Sequence, residues 1–411
     1  MIGNTVSQKW KYPLQLLQAM MDLNGSAALN KITGYYFETG PIRPPSEAYS
    51  LLIRATRNCP WNRCLFCPVY KGQKFELRPV DDILKDIETA KIITDGIKEF
   101  GWKAGYGDRP REVAAFIYNQ SGTSNCVRQV ALWLYAGGGS AFLQDANSVI
   151  MRTPELVKVV STLKQSFPSL GRITSYCRSR TAAKKSVEEF RELKDAGLSR
   201  IHIGMESGSD TVLAFMEKGM SSEDHVKGGR HIKEAGIELS EYYMPGLGGK
   251  KWSQEHALES ARVLSEINPD FIRLRTLQVH EIIPLWAKLE AGEFELQNED
   301  EVVREIGEFI AKLDFTGELK SDHILNLLPE LEGKFPEVKN MCLATVDRYL
   351  SMPLKDRLNF RLGRRASYYD KLDDIYDGAK YQKVDEVIKR VGAETPEKVD
   401  VLIQHFKQSF I

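Results

Sequence analysis

Three of the chain's six cysteines fall within nine positions, in the run Cys59-Pro60-Trp61-Asn62-Arg63-Cys64-Leu65-Phe66-Cys67. Three thiolates on one short loop are soft ligands, suited to zinc or to an iron–sulfur cluster. A structural zinc site takes four protein ligands, often as two Cys-x-x-Cys pairs. Cys126, Cys177 and Cys342 stand apart and supply no second pair. A four-iron cubane held by three cysteines leaves one iron without a protein ligand, and an open iron is a place for chemistry.

The elements that position this loop are readable from apolar spacing. Residues 48–56 form an apolar run expected as a buried strand, so the cysteines sit on a loop directly after it. Val80, Ile83, Leu84, Ile87 and Ala90 recur at helical steps, which predicts a helix from Pro79 to Ile97. Residues 98–135 read as an insertion in which Val113–Tyr118 fits strand or helix. From Ser140 the alternation is regular. Strands are expected at 141–143, 172–176, 200–204, 237–244 and 270–277. Between them fall helices, one from Thr153 as cap with Pro154 behind it, one opened by a Ser186/Glu189 capping box and closed by Gly197. Six βα units in series imply parallel strands with right-handed crossovers. The expected fold class is α/β, a partial (β/α)6 barrel (residues 49–285) with an N-terminal helical lead-in (1–48) and a C-terminal α-helical extension (286–411), beyond whose start at Pro284 no further strands are expected.

Polar and glycine residues gather where such strands end, the usual place for a barrel active site. They are Asp145 and Asn147; Ser175 and Arg178; Glu206 in Gly204-Met205-Glu206-Ser207-Gly208; and Met244 and Gly246 in Met244-Pro245-Gly246-Leu247-Gly248-Gly249.

These segments together resemble the radical S-adenosylmethionine (SAM) superfamily, whose usual spacing is C-x3-C-x2-C; this chain has one more residue in the first gap. The branch it looks like includes the oxygen-independent coproporphyrinogen oxidases, the methylthiotransferases and the Elongator catalytic subunit. The resemblance implies a [4Fe–4S] cluster on Cys59, Cys64 and Cys67. SAM would chelate the open iron and be cleaved reductively to methionine and a 5′-deoxyadenosyl radical, which abstracts hydrogen from a substrate. It implies that Asp145 and Asn147 face the methionine amino group, Ser175 the ribose, Arg178 the carboxylate, Glu206 the cofactor, and Met244 and Gly246 the adenine. Flavodoxin or ferredoxin is the electron donor that such chemistry calls for. The alternatives are a non-catalytic zinc or iron–sulfur binding module and a tetrapyrrole-binding relative.

Composition bounds the partners. Lys plus Arg and Asp plus Glu are 56 each among 411 residues, so no global field draws the chain to nucleic acid or anionic lipid. Aromatic and basic residues are not interleaved in a stripe, and a small-molecule substrate is expected over nucleic acid. No apolar run reaches the roughly 18 residues of a membrane span, and the amphipathic start, Met1 to Asp22, lacks a signal-peptide core. Sparse cysteines fit a reducing, cytoplasmic setting. Substrate-facing candidates are Glu241, Tyr242, His280 and Glu281, with a polar knot at Ser321, Asp322, His323 and Asn326. Arg361, Arg364 and Arg365 read as an anion clamp or a solvated helix end.

Overall fold

The computed structural model describes residues 29, 31–107, 109–393 and 395–408. Two compact units emerge, one of residues 1–55, 78–144 and 157–173, the other of residues 56–77, 145–156 and 174–411. The lead-in expected over residues 1–48 falls mostly outside the described residues, as does the amphipathic start.

In the first unit, α1 (Val80–Lys103) buries Ile83, Ile87, Ala90, Ile93 and Ile97. It continues past the expected Ile97 because Phe100 packs inward and stacks on Phe116 at 5.8 Å. The ambiguous 113–118 segment is helical, in α2 (Pro110–Tyr118), and α3 (Asn125–Tyr135) follows, with the Ser124 hydroxyl accepting from the Val127 N–H. Strand β1 (Leu51–Arg54) pairs in parallel with β2 (Ser140–Gln144), Leu51 opposite Ala141 and Arg54 opposite Gln144. The buried Gln144 amide ties down the Pro-rich run before β1. It accepts from the Gly40 N–H at 2.8 Å and donates to the Ile42 carbonyl at 2.7 Å.

Helix α4 (Thr153–Ser166) comes next. The Thr153 hydroxyl donates to Glu189 at 2.6 Å. The second unit then runs strand by strand: β3 (Arg172–Cys177), α5 (Ser179–Lys184), α6 (Val187–Ala196), β4 (Arg200–Glu206), α7 (Asp210–Phe215), α8 (Ser222–Glu234), β5 (Glu238–Tyr243), α9 (Gly249–Ile267) and β6 (Phe271–Leu274). The Ser186/Glu189 box caps α6 as its spacing predicts, and Gly197 ends it at φ 121°. Each strand from β3 to β6 lies parallel to the next in chain order. That order, with a helix in each crossover, is βα-barrel wiring; a doubly wound sheet would reverse direction at a switch point.

The strands do not stop at Pro284, contrary to the sequence expectation. β7 (Glu318–Lys320) pairs in parallel with β6, and Gly333–Lys334 pairs antiparallel with β7. Three residues are too few to show a period of two, so the pattern carried no signal. Helices α10 (Leu285–Glu290), α11 (Glu299–Lys312), α12 (Lys339–Ser351), α13 (Leu354–Arg365), α14 (Gly378–Arg390) and α15 (Pro396–Gln408) make up the rest. α11 closes the helix-facing side of β5, where Tyr243 stacks on Phe309 at 4.1 Å and on His256 of α9 at 4.9 Å. The arginine run is neither an anion clamp nor a solvated end. Arg361 is buried against Asp300 and Asp400, Arg365 pairs with Glu299, and Arg364 donates to the Leu327 and Tyr369 carbonyls.

Candidate functional site

All ten residues expected to hold cluster and cofactor lie in the second unit. The cysteine loop turns sharply at Asn58 (φ 65°) and Asn62 (φ 51°). Asparagine tolerates the left-handed region because its short amide bonds locally. Here the Asn58 amide donates to the Lys74 carbonyl at 2.6 Å and the Asn62 amide to the Tyr70 and Gln73 carbonyls. Lys71 donates to the Asn62 and Cys64 carbonyls at 3.1 and 2.8 Å, closing the turn from outside.

Asp145 fastens this loop from β2's far end. One oxygen accepts from the Asn58 N–H at 3.2 Å and the other from the buried Tyr70 hydroxyl at 2.7 Å. Asn147 is fully buried and joins two elements, accepting from the Arg178 N–H at 3.0 Å and donating to Thr181 at 2.8 Å. The Ser175 hydroxyl is also fully buried and donates to the neighbouring Tyr176 carbonyl at 3.2 Å. Arg178 donates to the Lys218 carbonyl at 2.7 Å and lies over Trp61, 5.2 Å from the ring centre. Trp61 in turn donates to the Glu217 carbonyl at 2.6 Å.

Glu206 occupies the end of β4 with φ 66°, just after a register shift against β5. A non-glycine residue there is strained by about 1 kcal/mol. The strain aims its carboxylate toward Lys218, 3.5 Å away, and leaves the second oxygen, Oε2, without a hydrogen-bond partner. Gly204 makes room, since a Cβ there would strike Oε1 of Glu206. The Met244 N–H donates to the Glu206 carbonyl at 3.0 Å, which binds the glycine-rich loop to this strand end. Hydrogen bonds thus bring the cysteine loop to Asp145, and link Asn147, Arg178, Lys218, Glu206 and Met244 in sequence.

Sequence reasoning missed two side chains. Lys218 is nearly buried, its ammonium 5.3 Å from the Phe66 ring. Burial pushes the Cys64 and Cys67 thiols up, while the Lys218 charge pulls both down. Its only sequence signal was a lone lysine after a short helix. Glu305, on α11, accepts from the Gly246 N–H at 2.8 Å, the Ser253 hydroxyl at 2.8 Å and the Tyr243 hydroxyl at 3.2 Å. Burial raises its carboxyl to about 7. It stands 59 residues from the loop it holds, so no local pattern announced it.

The substrate-facing candidates divide. Tyr242 is buried on the same face of its strand as Ser240, while Glu241 lies on the opposite face, fully buried with neither oxygen bonded. Burial, and then Glu206, hold the Glu241 carboxyl well above the usual range, and it shares the helix-packed strand face of Tyr243 rather than lining the mouth. His280 is half-buried and Glu281 exposed. In the polar knot, Asn326 receives the Thr276 N–H and hydroxyl, Ser321 donates to Leu328, and Asp322 pairs with Arg273.

Three half-buried thiols on one loop are a donor set that an iron–sulfur cluster accepts. Cys59, Cys64 and Cys67 form no disulfide, are each half-buried, and feel one another's charge. Zinc needs all its sulfurs about 2.3 Å from one point. In a four-iron cluster each thiolate binds a different iron, so the sulfurs stand further apart.

Residues 134–261 match the family model of the radical SAM superfamily. The mitochondrial tRNA methylthiotransferase CDK5RAP1 of Rattus norvegicus is 25% identical over 238 residues, 56% of this chain and 37% of that protein. The tRNA uridine(34) acetyltransferase of Methanocaldococcus infernus is 25% identical over 122 residues, 29% of this chain and 23% of that protein. The chain therefore spans well under half the length of these relatives. Among solved structures, coproporphyrinogen III oxidase from Escherichia coli aligns with a TM-score of 0.40 at 15% identity, over 70% of this chain and 55% of that one. Radical SAM proteins use a [4Fe–4S] cluster and SAM.

Proposed function

We propose that this chain, whose residues 134–261 match the family model of the radical SAM superfamily, is an enzyme that holds a [4Fe–4S] cluster on Cys59, Cys64 and Cys67 and uses SAM to take a hydrogen atom from its substrate. When bound, cluster and SAM supply a one-electron reductive cleavage to methionine and a 5′-deoxyadenosyl radical. The protein's part is to position and to exclude water. Lys218 and Arg178 set positive charge beside the thiolates, where it favours the ionised sulfurs. Glu206, with one unbonded oxygen, offers an acceptor at the strand end. Met244 and Gly246 would meet the adenine, Gly246 bringing backbone close without a side chain of its own.

The observation that carries this reading is the set of three half-buried cysteines without a disulfide, with the Lys218 charge felt at Cys64 and Cys67. An acidic flavodoxin or ferredoxin would deliver the electron, in a cytoplasmic setting that keeps the thiols reduced. The relatives are named for reactions on tRNA, and so lend no weight to a small molecule over nucleic acid. We retain the small molecule on the balance of charge alone. No helix of the described residues is long and apolar enough to cross a membrane.

The test is anaerobic purification followed by iron and sulfide counting and a SAM-cleavage assay, on wild type and Cys64→Ala. Iron and sulfide in equal amounts, with 5′-deoxyadenosine released on reduction and both lost in the variant, is the expected result. A loaded cluster that never cleaves SAM would reject the reading.

A further inference from the structure

The strand face opposite the helices carries a row of rings. Tyr176 on β3 lies 6.0 Å from His202 on β4, and His202 lies 5.8 Å from Tyr242 on β5. The next strand continues the row with charge. Arg273 is in register with Tyr242, and its guanidinium is satisfied by Asp322 and by the Ser240 hydroxyl at 3.2 Å. Arg275, two residues on, shares that face by strand alternation, and its N–H donates to the Tyr243 carbonyl at 3.0 Å.

Arg275 differs from its neighbours in having no acid. Glu206 is paired with Lys218, Asp322 with Arg273, and Glu318 with Lys320. The Arg275 side chain is exposed and makes no ion pair or hydrogen bond among the described residues. By register it follows Arg273, the partner of Tyr242, along the strand end, and its charge is felt at Tyr176, Tyr242 and His323. The Tyr242 hydroxyl is buried and has no partner that meets hydrogen-bond geometry.

We propose that the substrate carries a carboxylate, and that Arg275 holds it at the strand ends between Tyr242, Tyr176 and His323. The proposal rests on the reading above, for which it names the substrate class. A planar fork of N–H donors matches a carboxylate in two parallel bonds, and a phenol hydroxyl supplies a third donor. One free cation neutralises one monoanion. A phosphate dianion would keep an uncompensated charge against buried tyrosines, and a nucleic-acid backbone would ask for a basic track, whereas Lys218, Arg273 and Lys320 are each paired with an acid.

The experiment is calorimetric titration of the full-length chain, anaerobically purified, with benzoate, with the isosteric but uncharged benzamide, and with inorganic phosphate, in the absence of reductant. Benzoate is expected to bind, benzamide at least roughly ten-fold more weakly, in line with a charge-assisted pair. Arg275→Gln should lose at least about ten-fold in benzoate affinity and Arg275→Lys, which keeps charge without the fork, should fall between. Arg275 is exposed, so both variants are expected to fold, and their iron content should equal that of wild type. Equal binding of benzamide, undiminished binding by Arg275→Gln, or loss of SAM binding in that variant would overturn the proposal. Phosphate binding more tightly than benzoate would overturn it in favour of a nucleic-acid backbone. Carboxylate binding in a protein that never cleaves SAM would reject the radical reading and leave this subsite standing; cleavage without carboxylate binding would do the reverse.

Discussion

Glu206 shows how a single position trades backbone comfort for chemistry. Its left-handed backbone and unbonded oxygen are costs that packing alone does not repay. Gly204→Ala separates the two roles. The new Cβ collides with the far end of a flexible carboxylate rather than with backbone, so stability should fall by less than about 1 kcal/mol while Glu206 is pushed from Lys218. Denaturant unfolding should therefore look nearly native, while SAM affinity falls by about ten-fold; a variant that keeps native SAM affinity would detach Glu206 from the cofactor. Gly219→Ala should behave in the opposite way. Its φ of 68° and the Trp61 ring packed against it leave no room for a methyl, and ring and backbone are both rigid. A loss of at least about 2 kcal/mol is expected, with the cysteine loop loosened through the Trp61 bond to Glu217 and iron retention reduced on gel filtration.

At the scale of elements, two buried groups support the loop after β5 and respond to pH in opposite senses. His256 on α9 bonds the Ser207 hydroxyl at 2.8 Å and the Met244 carbonyl at 3.0 Å, and burial lowers it to about 4. Its neutral ring contributes stability that is present above the unfolded value near 6.5 and is lost as pH falls toward 4. Glu305 on α11 is raised to about 7, so between the usual carboxyl value of 4.5 and 7 the unfolded chain releases a proton that the folded chain keeps. Stability therefore falls as pH rises through that window and levels above it, by up to about 3 kcal/mol at about 1.4 kcal/mol per unit. Glu305→Gln removes this dependence. The stability difference between variant and wild type, from urea unfolding at pH 5 and pH 8, should shift toward the variant by that amount; a constant difference would mean that Glu305 stays ionised throughout. These residues also mark the limit of what the sequence showed. The capping box of α6, the buried face of α1 and the strand-end positions were legible because each is written in a window of a few residues. Glu305, Lys218 and Arg275 were not, because their roles come from partners brought by the fold from distant segments. The arginine run misled for the same reason, its acids lying on α11 and α15.

For the molecule as a whole, the segment after Pro284 completes the second unit instead of decorating it. β7 covers what would be the open edge of β6, and the Asn326 amide donates to the Leu274 carbonyl at 2.9 Å. Val303, Ile306, Phe309 and Ile310 of α11 are all buried, and the Tyr243–Phe309 stack lies directly behind the strand whose end carries Met244. Each such side chain contributes about 1.5–3 kcal/mol by leaving water, so four of them match the whole net stability of about 5–15 kcal/mol of an ordinary domain. A chain ended after Pro284 would lose these, uncover the Phe309 side of the Tyr243 ring and present β6 as an unpaired strand edge, a template for association. The expected outcome is a truncated protein with no cooperative urea transition and strong binding of an apolar dye, against a cooperative transition for the full chain. A truncation that unfolds cooperatively and still retains iron would show that the barrel strands stand without α11, and would leave Glu305 no part in holding the Gly246 loop.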